Sequence, residues 1–226
     1  MPVTLAFDVY GTLIDTDGVV AELNKTVAAD AQEFSRAWRD KQLEYSFRRG
    51  LMQDYADFAV CTRQALDWTC AARGARVTDE QKEDLLAAYR ALPAYADAKP
   101  ALERLQGGGF DIYAFSNGKA DAVEALLVAA GLRDLFNGVV SVDDVRSFKP
   151  NPAVYRHFLE RVEDAEAVAW MVSGNPFDVI GAVSAGMRAA WVRRDPSAVF
   201  DPWGVEPTLT VASLGEFSRV MVDGTT

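Results

Sequence analysis

The stretch Leu5-Ala-Phe-Asp-Val-Tyr-Gly-Thr-Leu13 decides the fold of this chain. Its first half is a continuous apolar run, which is typical of a strand buried on both faces of a parallel sheet. Asp8 stands at the carboxyl end of that predicted strand, where open α/β sheets bind their ligands. Gly11 allows a sharp turn, which brings backbone N–H groups close to whatever Asp8 faces. We predict that Asp8 is a nucleophile; the alternative, that it only caps the following turn, fits the local pattern equally well.

The composition indicates a globular protein without a nucleic-acid partner. The chain has 226 residues, and 50% of them are hydrophobic, which suits a core domain with an insertion. Its 33 acidic and 23 basic residues give a formal net charge of −10, and no basic run offsets it. Binding to a phosphate backbone is therefore not expected. A small anionic substrate stays open, because a few well-placed cations can dominate a local cleft.

Cysteine use and hydropathy predict the compartment. Cys61 and Cys70 lack the spacing of a metal site, which favours a reduced, intracellular chain. The first predicted strand begins close to Met1, which leaves no room for a signal peptide. No apolar run approaches the roughly 20 residues that a membrane helix needs. We expect a cytoplasmic protein that does not interact with membranes.

Residues 17–92 have helical periodicity throughout. A second helix is predicted over 54–72, and Thr78 with Gln81 resembles a capping box that opens a third helix, which runs to about Leu92. Such a block directly after one strand indicates an inserted helical cap domain, residues 15–93, in an α/β core formed by residues 1–14 and 94–226. The first helix has a stripe at helical spacing that contains Phe34, Trp38, Gln42 and Tyr45.

The rest of the chain alternates strands and helices, which predicts a doubly wound, Rossmann-like parallel sheet. Capping signals at Asn151-Pro152 and at Ser213 with Glu216 mark the starts of two helices. The predicted strands cover residues 110–115, 138–142, 167–172, 189–193 and 208–211, and the predicted helices cover 99–106, 120–130, a segment that begins at 152, 176–186 and the C-terminal segment.

Polar residues follow four of the predicted strands. The carboxyl ends of parallel strands meet at one edge of a sheet, so these residues are expected to converge on one crevice. Each has a structural alternative: Ser116-Asn-Gly118 as a turn, Lys149 as a solvated surface residue, and 175–178 as helix-capping residues. The four ends are Asp8, Ser116-Asn117, Lys149 and the segment from Asn175 to Asp178.

These residues resemble the four motifs of the haloacid dehalogenase superfamily. The motifs are Asp8-Val-Tyr-Gly-Thr12, Ser116-Asn-Gly118, Lys149-Pro150 and the late Asp178, in the order of the superfamily and over nearly the whole chain. The resemblance implies that Asp8 attacks an electrophile and forms a covalent aspartyl intermediate.

Two departures from the phosphatases of that superfamily indicate another branch. Tyr10 stands where phosphatases carry a second aspartate as general acid, and Gly174 stands where they carry a carboxylate that helps to hold magnesium. A magnesium site needs carboxylate oxygens, so we expect no metal, and no cofactor. Displacement at carbon needs neither group, because a halide leaves as a stable anion without a proton.

The cap segment Trp38-Arg-Asp-Lys-Gln-Leu-Glu-Tyr45 resembles that of the L-2-haloacid dehalogenases. The alternative for Arg39 is an ion pair with Glu33 or Glu44 on an exposed helix, and apolar residues near the site are more often ordinary core. The resemblance implies that the halide is received by Arg39, Asn117 and Phe177, and that an apolar wall around the substrate is formed by Tyr10, Leu43 and Phe58.

The resemblance further implies a reaction in two steps. Asp8, kept ionised by Lys149, attacks C2 of a short L-2-haloalkanoate and expels the halide. Water then hydrolyses the aspartyl ester and releases a D-2-hydroxy acid. The supporting roles are substrate carboxylate binding by Ser116 and the backbone N–H groups of Val9 and Tyr10, water positioning by Asp178 and Asn175, support of Asp8 by Thr12, and connection of Lys149 with Asp178 by Tyr155 and Ser173.

Two other functions stay open: a magnesium-dependent phosphatase of the same superfamily, and a non-catalytic binding relative. Intact Asp8, Arg39, Lys149 and Asp178 disfavour the second. The halogen and the chain length of the substrate are not fixed by these residues, and fluoroacetate and other haloacetates stay open. His157 is assigned a structural role. The expected partners are a 2-haloacid, the halide product and a second copy of the chain in a homodimer.

Overall fold

A central parallel sheet organises the molecule. The computed structural model describes residues 3–27, 30–162 and 169–224. The six strands of the described residues are ordered β3-β2-β1-β4-β5-β6, and all neighbours pair in parallel. This confirms the predicted doubly wound α/β fold. The strands are β1 Thr4–Phe7, β2 Asp111–Ser116, β3 Gly138–Ser141, β4 Trp170–Ser173, β5 Arg188–Val192 and β6 Leu209–Val211.

The opening stretch forms a central strand. β1 lies between β2 and β4, where Phe7 is opposite Ala114 on one side and Val172 on the other. All four β1 residues are buried, as the continuous apolar run predicted. Asp8 follows immediately, and its backbone N–H donates to the carbonyl of Val172 at 3.0 Å. The first strand therefore delivers Asp8 to the carboxyl edge of the sheet.

Among the described residues, five α-helices separate β1 from β2, and the first four are α1 Val20–Thr26, α2 Ala31–Met52, α3 Phe58–Ala72 and α4 Asp79–Tyr89. α3 begins four residues later than predicted, because α2 ends in a left-handed residue at Gln53 and the carboxylate of Asp57 caps the N–H of Val60. The capping box of Thr78 and Gln81 is confirmed.

The later helices flank the sheet. The side chain of Asn151 caps the predicted helix start before Pro152. Ser213 also caps its helix, although the carboxylate of Glu216 accepts from Ala212 N, so the reciprocal bond of a capping box is replaced. The predicted strand residues 167 and 168 lie outside the described residues. These helices are α5 Ala98–Gly107, α6 Ala120–Ala129, α7 Pro152–Arg161, α8 Pro176–Ser184 and α9 Leu214–Asp223; short 3-10 turns occupy Thr16–Val19, Arg133–Leu135 and Val142–Val145.

One hydrophobic cluster extends from the sheet into the helices that precede β2. It includes Leu5 and Phe7 of β1 together with Phe34 and Trp38 of α2 and Leu66 of α3. The predicted division into a core and a cap stays a prediction, because the buried surface is continuous between them. Among the described residues, no helix is both long and apolar enough to cross a membrane.

Candidate active site

The carboxylate of Asp8 has two unlike oxygens. Its Oδ2 accepts hydrogen bonds from Thr12 Oγ1 at 2.9 Å, Ser173 Oγ at 3.2 Å and Asn175 Nδ2 at 2.7 Å. Its Oδ1 faces the ammonium of Lys149, with the Nζ at 3.3 Å. The side chain is held rigidly through Oδ2, and Oδ1 keeps lone-pair capacity for another partner.

Lys149 is the buried cation of the site. Its side chain is only 1% exposed. The Nζ donates to Asp178 Oδ2 at 2.9 Å and to the carbonyl of Phe115 at 2.8 Å, in addition to Asp8. A solvated surface lysine, the alternative reading of the sequence, is therefore wrong. Burial of an ammonium is tolerated here because two carboxylates and a carbonyl satisfy it.

Asp178 lies at the far side of Lys149 and is completely buried. Its Oδ1 accepts a hydrogen bond from the hydroxyl of Tyr155 at 2.8 Å. Burial raises the pKa of Asp178 from 3.8 to about 6, against the opposing effect of the Lys149 charge. Burial and the neighbouring Asp178 carboxylate also hold the pKa of Tyr155 well above its ordinary value, so this phenol stays a donor. Gly181 makes room for it, because a Cβ there would lie 2.4 Å from the Tyr155 hydroxyl.

Asn175 does not cap α8 with its side chain, which overturns the capping alternative for this residue. Its amide nitrogen instead donates to Asp8 and, at 3.0 Å, to the carbonyl of Tyr10. Ser173 Oγ donates to Asp8 and accepts from the backbone N–H of Asn175 at 3.1 Å. The loop after β4 thus holds the loop after β1 by side-chain hydrogen bonds.

Gly174 is required by the close approach of these two loops. A Cβ at this position would lie 2.6 Å from the carbonyl oxygen of Gly11, which belongs to the backbone and has little freedom to move. The backbone N–H of Gly174 donates to Thr12 Oγ1 at 2.8 Å, and that hydroxyl in turn donates to Asp8. The small size of Gly174 does not widen the pocket floor, because Gly11 fills the space beside it.

Arg39 reaches from α2 to the loop that carries Asp8. Its Nη2 lies 3.4 Å from the carbonyl oxygen of Tyr10, and its Nη1 donates to Gln42 Oε1 at 2.6 Å. The alternative ion pairs are wrong, because Glu44 pairs with Lys41 and Arg48, and Glu33 pairs with Arg73.

Ser116 and Asn117 lie at the end of β2 and are both buried. Ser116 Oγ accepts from the N–H of Gly118 at 3.1 Å, which is the turn interaction that the sequence alternative proposed. Asn117 Oδ1 accepts from the backbone N–H of Lys149 at 3.0 Å. The Nδ2 donor of the same Asn117 amide takes no part in this hydrogen bond. Val9 is buried, and its carbonyl accepts from the N–H groups of Leu13 and Ile14.

Tyr10 and Phe58 of the predicted apolar wall are in contact, and Phe177 of the predicted halide site packs against α2. Tyr10 packs on Phe58 with ring centroids 5.9 Å apart. Phe177 packs edge to face on Phe47 of α2, with centroids 5.0 Å apart. Leu43 is half-buried and does not line the cavity beside Tyr10. That cavity has a volume of about 120 Å³, and its lining includes Tyr10, Phe58, Leu86, Tyr89, Gly118 and Lys119.

Sequence reasoning missed three contributions to this site. The carbonyl of Phe115 was not foreseen as a partner of Lys149, because backbone acceptors have no sequence signal. Gly181 could be identified only once Tyr155 was placed. Gln42 was assigned to an apolar stripe, although an amide among apolar neighbours is itself a signal of a buried polar contact. His157, by contrast, lies 3.3 Å from Asp144 on the helix surface, as a structural residue would.

Comparison with known proteins identifies the family of this chain. The model of the haloacid dehalogenase-like hydrolases matches residues 3–186. (S)-2-haloacid dehalogenases of Pseudomonas fluorescens and Pseudomonas putida are 35% and 34% identical to this chain, over 96% and 97% of it and 95% and 96% of their own lengths. The solved structure of L-2-haloacid dehalogenase from Xanthobacter autotrophicus has a TM-score of 0.92 and 32% identity, with 100% of both chains covered. A second structure of that enzyme has chloropropionic acid covalently bound. The chain therefore belongs to the haloacid dehalogenase-like hydrolases and, within them, to the family of the (S)-2-haloacid dehalogenases.

Proposed function

We propose that this hydrolase removes halide from short L-2-haloalkanoic acids and releases D-2-hydroxy acids through an ester on Asp8. The observation that carries the proposal is the asymmetry of the Asp8 carboxylate. Three donors orient it through Oδ2, while Oδ1 meets only the Lys149 ammonium among the described residues, at 3.3 Å. An oriented carboxylate with one free lone pair in a closed site is suited to attack carbon in line with a leaving group.

In the first step, Asp8 Oδ1 forms a bond to C2 as the carbon–halogen bond breaks, and the bond electrons leave with the halide. Attack from the back inverts C2. Arg39 would stabilise the departing anion together with the Asn117 amide and the Phe177 ring, and the contact of Arg39 with the Tyr10 carbonyl supports this, since it holds the guanidinium beside the Asp8 loop. The Ser116 hydroxyl and the backbone N–H groups of Val9 and Tyr10 would bind the substrate carboxylate.

In the second step, water attacks the carboxyl carbon of the Asp8 ester, and the bond between that carbon and the substrate oxygen breaks. Asp178 would take one proton of the water and pass it to the alkoxide oxygen of the leaving product, and the second water proton would be released to solvent, so that Asp8 returns as a carboxylate. A pKa near 6 for Asp178 supports this role, because such a group is largely ionised at neutral pH and still accepts a proton. Asn175, Thr12 and Ser173 would keep the Asp8 carbonyl oxygen polarised.

The alternative phosphatase reaction is poorly supported by these residues. Gly174 supplies no carboxylate, and the 2.6 Å approach of Gly11 leaves no room for a side chain there. The two carboxylates that remain, Asp8 and Asp178, share the Lys149 ammonium. Within the described residues 3–27, 30–162 and 169–224, no group of three or more His, Cys, Asp or Glu side chains could hold a metal ion. The residues do not fit a magnesium site, and we propose a reaction that needs no metal.

Three further features belong to this proposal. Residues 15–93 would act as a cap over a core of residues 1–14 and 94–226, since Arg39 and Phe58 reach the Asp8 loop from helices of that segment. A reducing, cytoplasmic location is supported by two buried free thiols, Cys61 and Cys70. A homodimer follows from the family resemblance. Haloacetates, including fluoroacetate, are proposed as additional substrates to be tested.

The decisive experiment follows the Asp8 peptide by mass spectrometry during a single turnover of 2-chloropropionate in oxygen-18 water. We expect the Asp8 peptide to gain the substrate mass transiently and then to keep one oxygen-18 atom. Asp8→Asn should lower halide release by on the order of 10⁴-fold, because the nucleophile is removed, while Asp84→Asn on the exposed face of α4 should leave it unchanged.

The same assay separates the alternatives. Halide release that persists with a chelator present, without turnover of an aryl phosphate, supports the proposal. Metal-dependent phosphate release with untouched 2-haloacids would establish the phosphatase. An unlabelled Asp8 peptide in every turnover sample would refute the covalent mechanism.

A further inference from the structure

A buried polar network surrounds Gln42, a residue to which the reaction proposed above gives no role. Gln42 is completely buried on α2. Its Nε2 donates to Thr62 Oγ1 of α3 at 2.6 Å, and its Oε1 accepts from Arg39 Nη1 at 2.6 Å and from the hydroxyl of Tyr89 in α4 at 3.1 Å. An amide without exposure is costly unless it is satisfied, and here three helices supply its partners.

The hydrogen bonds of this network allow only one orientation of the Gln42 amide. The hydroxyl of Thr62 donates to the carbonyl of Phe58 at 2.7 Å, so its oxygen must accept from Gln42. The amide nitrogen of Gln42 is therefore committed to Thr62, and the amide oxygen has to point at Arg39. A flipped amide would bring two donors face to face, since a guanidinium offers no acceptor. The orientation of Gln42 is fixed by atoms remote from the Asp8 loop.

The geometry of Arg39 shows what this orientation achieves. Arg39 and Gln42 are three residues apart on α2, so their side chains lie on one face of the helix. Gln42 holds Nη1, and Nη2 is left to approach the Tyr10 carbonyl at 3.4 Å. The ring of Tyr89, which also donates to Gln42, stacks on the ring of Tyr10 with centroids 5.8 Å apart and planes 23° apart. Both contacts of the network with the Asp8 loop therefore meet at Tyr10.

We infer that Gln42 is a positioning residue, whose amide oxygen sets the Arg39 guanidinium beside the Asp8 loop before a halide begins to leave. This inference rests on the proposed function, because it gives Arg39 an anion to receive. A fixed cation stabilises the developing halide charge without reorganising during the reaction, whereas a mobile arginine has to be ordered in every turnover. Gln42 touches neither substrate nor Asp8 and acts through Arg39.

The test replaces the amide by a group of similar length that forms no hydrogen bond. Gln42→Met should lower the single-turnover rate of ester formation by roughly 10-fold to 100-fold, the range expected when a hydrogen bond to a charged group is lost. The loss should be larger for 2-chloropropionate than for 2-bromopropionate, because the poorer leaving group depends more on halide stabilisation. The inhibition constant for added bromide should rise as well, with KM nearly unchanged.

Two controls separate positioning from structural damage. Thr69→Val removes another buried hydroxyl of α3, one that donates only within its own helix, to the carbonyl of Ala65. It should cost stability without changing the chloride-to-bromide rate ratio. Gln42→Met should have little additional effect in an Arg39→Lys background, where the guanidinium fork is already lost.

A failure of this inference can be distinguished experimentally from a failure of the proposed function. If the wild-type chain forms no ester, the proposed function fails. If the wild-type chain forms the ester normally but Gln42→Met slows both halides equally, or adds its full loss to that of Arg39→Lys, Gln42 is structural and this inference is overturned. Gln42→Glu gives an independent measurement should Gln42→Met not fold: a carboxylate beside the guanidinium should weaken bromide inhibition, and unchanged inhibition would count against positioning.

Discussion

At the scale of single residues, Lys149 and Asp178 form a buried ion pair on which the proposed second step would depend. Asp178 meets Lys149 at 2.9 Å and Tyr155 at 2.8 Å, and it is completely buried. In the proposed mechanism, Asp8 needs Lys149 for attack, whereas Asp178 is needed only when water attacks the ester. The two steps can therefore be separated by one substitution.

Asp178→Asn keeps the shape of the side chain and removes its capacity to take a proton. We expect the ester on Asp8 to form and then to accumulate, with overall turnover lowered by roughly 10²- to 10⁴-fold, the usual contribution of a general base. Mass spectrometry of the Asp8 peptide after mixing with 2-chloropropionate measures this directly. Asp144→Asn, at an exposed carboxylate beside His157, is the matched control and should turn over normally. Rapid loss of the adduct in Asp178→Asn would exclude Asp178 from hydrolysis.

The raised pKa of Asp178 gives two pH dependences of opposite sign. Hydrolysis of the ester should rise about tenfold per pH unit and level off below about pH 6, because the ionised carboxylate is the base and the esterified Asp8 no longer raises the pKa of Asp178 by its charge. Stability should change the other way. The folded chain binds this proton more tightly than the unfolded chain, so the contribution of Asp178 to stability falls as pH rises from its ordinary pKa of 3.8 to about 6. Single-turnover rates and urea titrations between those limits measure both, and a flat hydrolysis profile would contradict the assignment.

At the scale of helices and strands, the side chain of Asp57 has two roles: it caps the start of α3 and forms an ion pair beside the start of α6. Its Oδ1 accepts from the N–H of Val60 at 3.0 Å and caps α3, while its Oδ2 lies 3.3 Å from the ammonium of Lys119, beside the start of α6. The Lys119 side chain is 47% exposed, so the ion pair is screened by water. The cap is therefore expected to be the larger contribution.

Asp57→Ala should lower the free energy of unfolding by about 1 kcal/mol through loss of the cap. Asp57→Asn should keep nearly all the stability, since asparagine caps helices as well as aspartate does and only the ion pair is lost. Lys119→Met is the complementary control and should change little. Urea titration of the three variants measures the differences. Equal losses for Asp57→Ala and Asp57→Asn would mean that the ion pair, and not the cap, stabilises this junction.

The strands and helices show which features can be predicted from the sequence and which cannot. Strong local signals, such as the apolar run of β1 and the capping box at Thr78, are confirmed because neighbouring residues alone determine them. The start of α3 was predicted at Asp54 and lies at Phe58, because either Asp54 or Asp57 could cap it and only the packed structure selects Asp57. Asn175 was assigned a capping alternative for the same reason: its side chain prefers Asp8, which is 167 residues away in the chain.

At the scale of the whole molecule, we consider whether the predicted cap folds as a separate unit. The described residues give it a continuous apolar interior with the sheet, since Trp38 and Leu66 belong to the same cluster as Leu5 and Phe7. Trp38 is also tied within the cap, because its Nε1 donates to the carbonyl of Thr62 at 2.9 Å. Cutting the chain at residues 15 and 93 would expose this shared apolar surface on both sides.

We therefore predict that the chain unfolds in one cooperative transition, even though chains of 226 residues often unfold in several. Urea titration followed by far-UV circular dichroism should coincide with the fluorescence of Trp38 in a variant whose other tryptophans, at 68, 170, 191 and 203, are replaced by phenylalanine. The companion variant keeps only Trp191 of β5, so its fluorescence reports on the sheet. In each variant, the midpoint of the fluorescence transition should equal the midpoint of the circular dichroism transition of the same variant. A Trp38 transition that precedes the sheet transition would show that the cap loosens alone, and the continuity of the apolar cluster would then be too weak to couple Arg39 to the rigidity of the Asp8 loop.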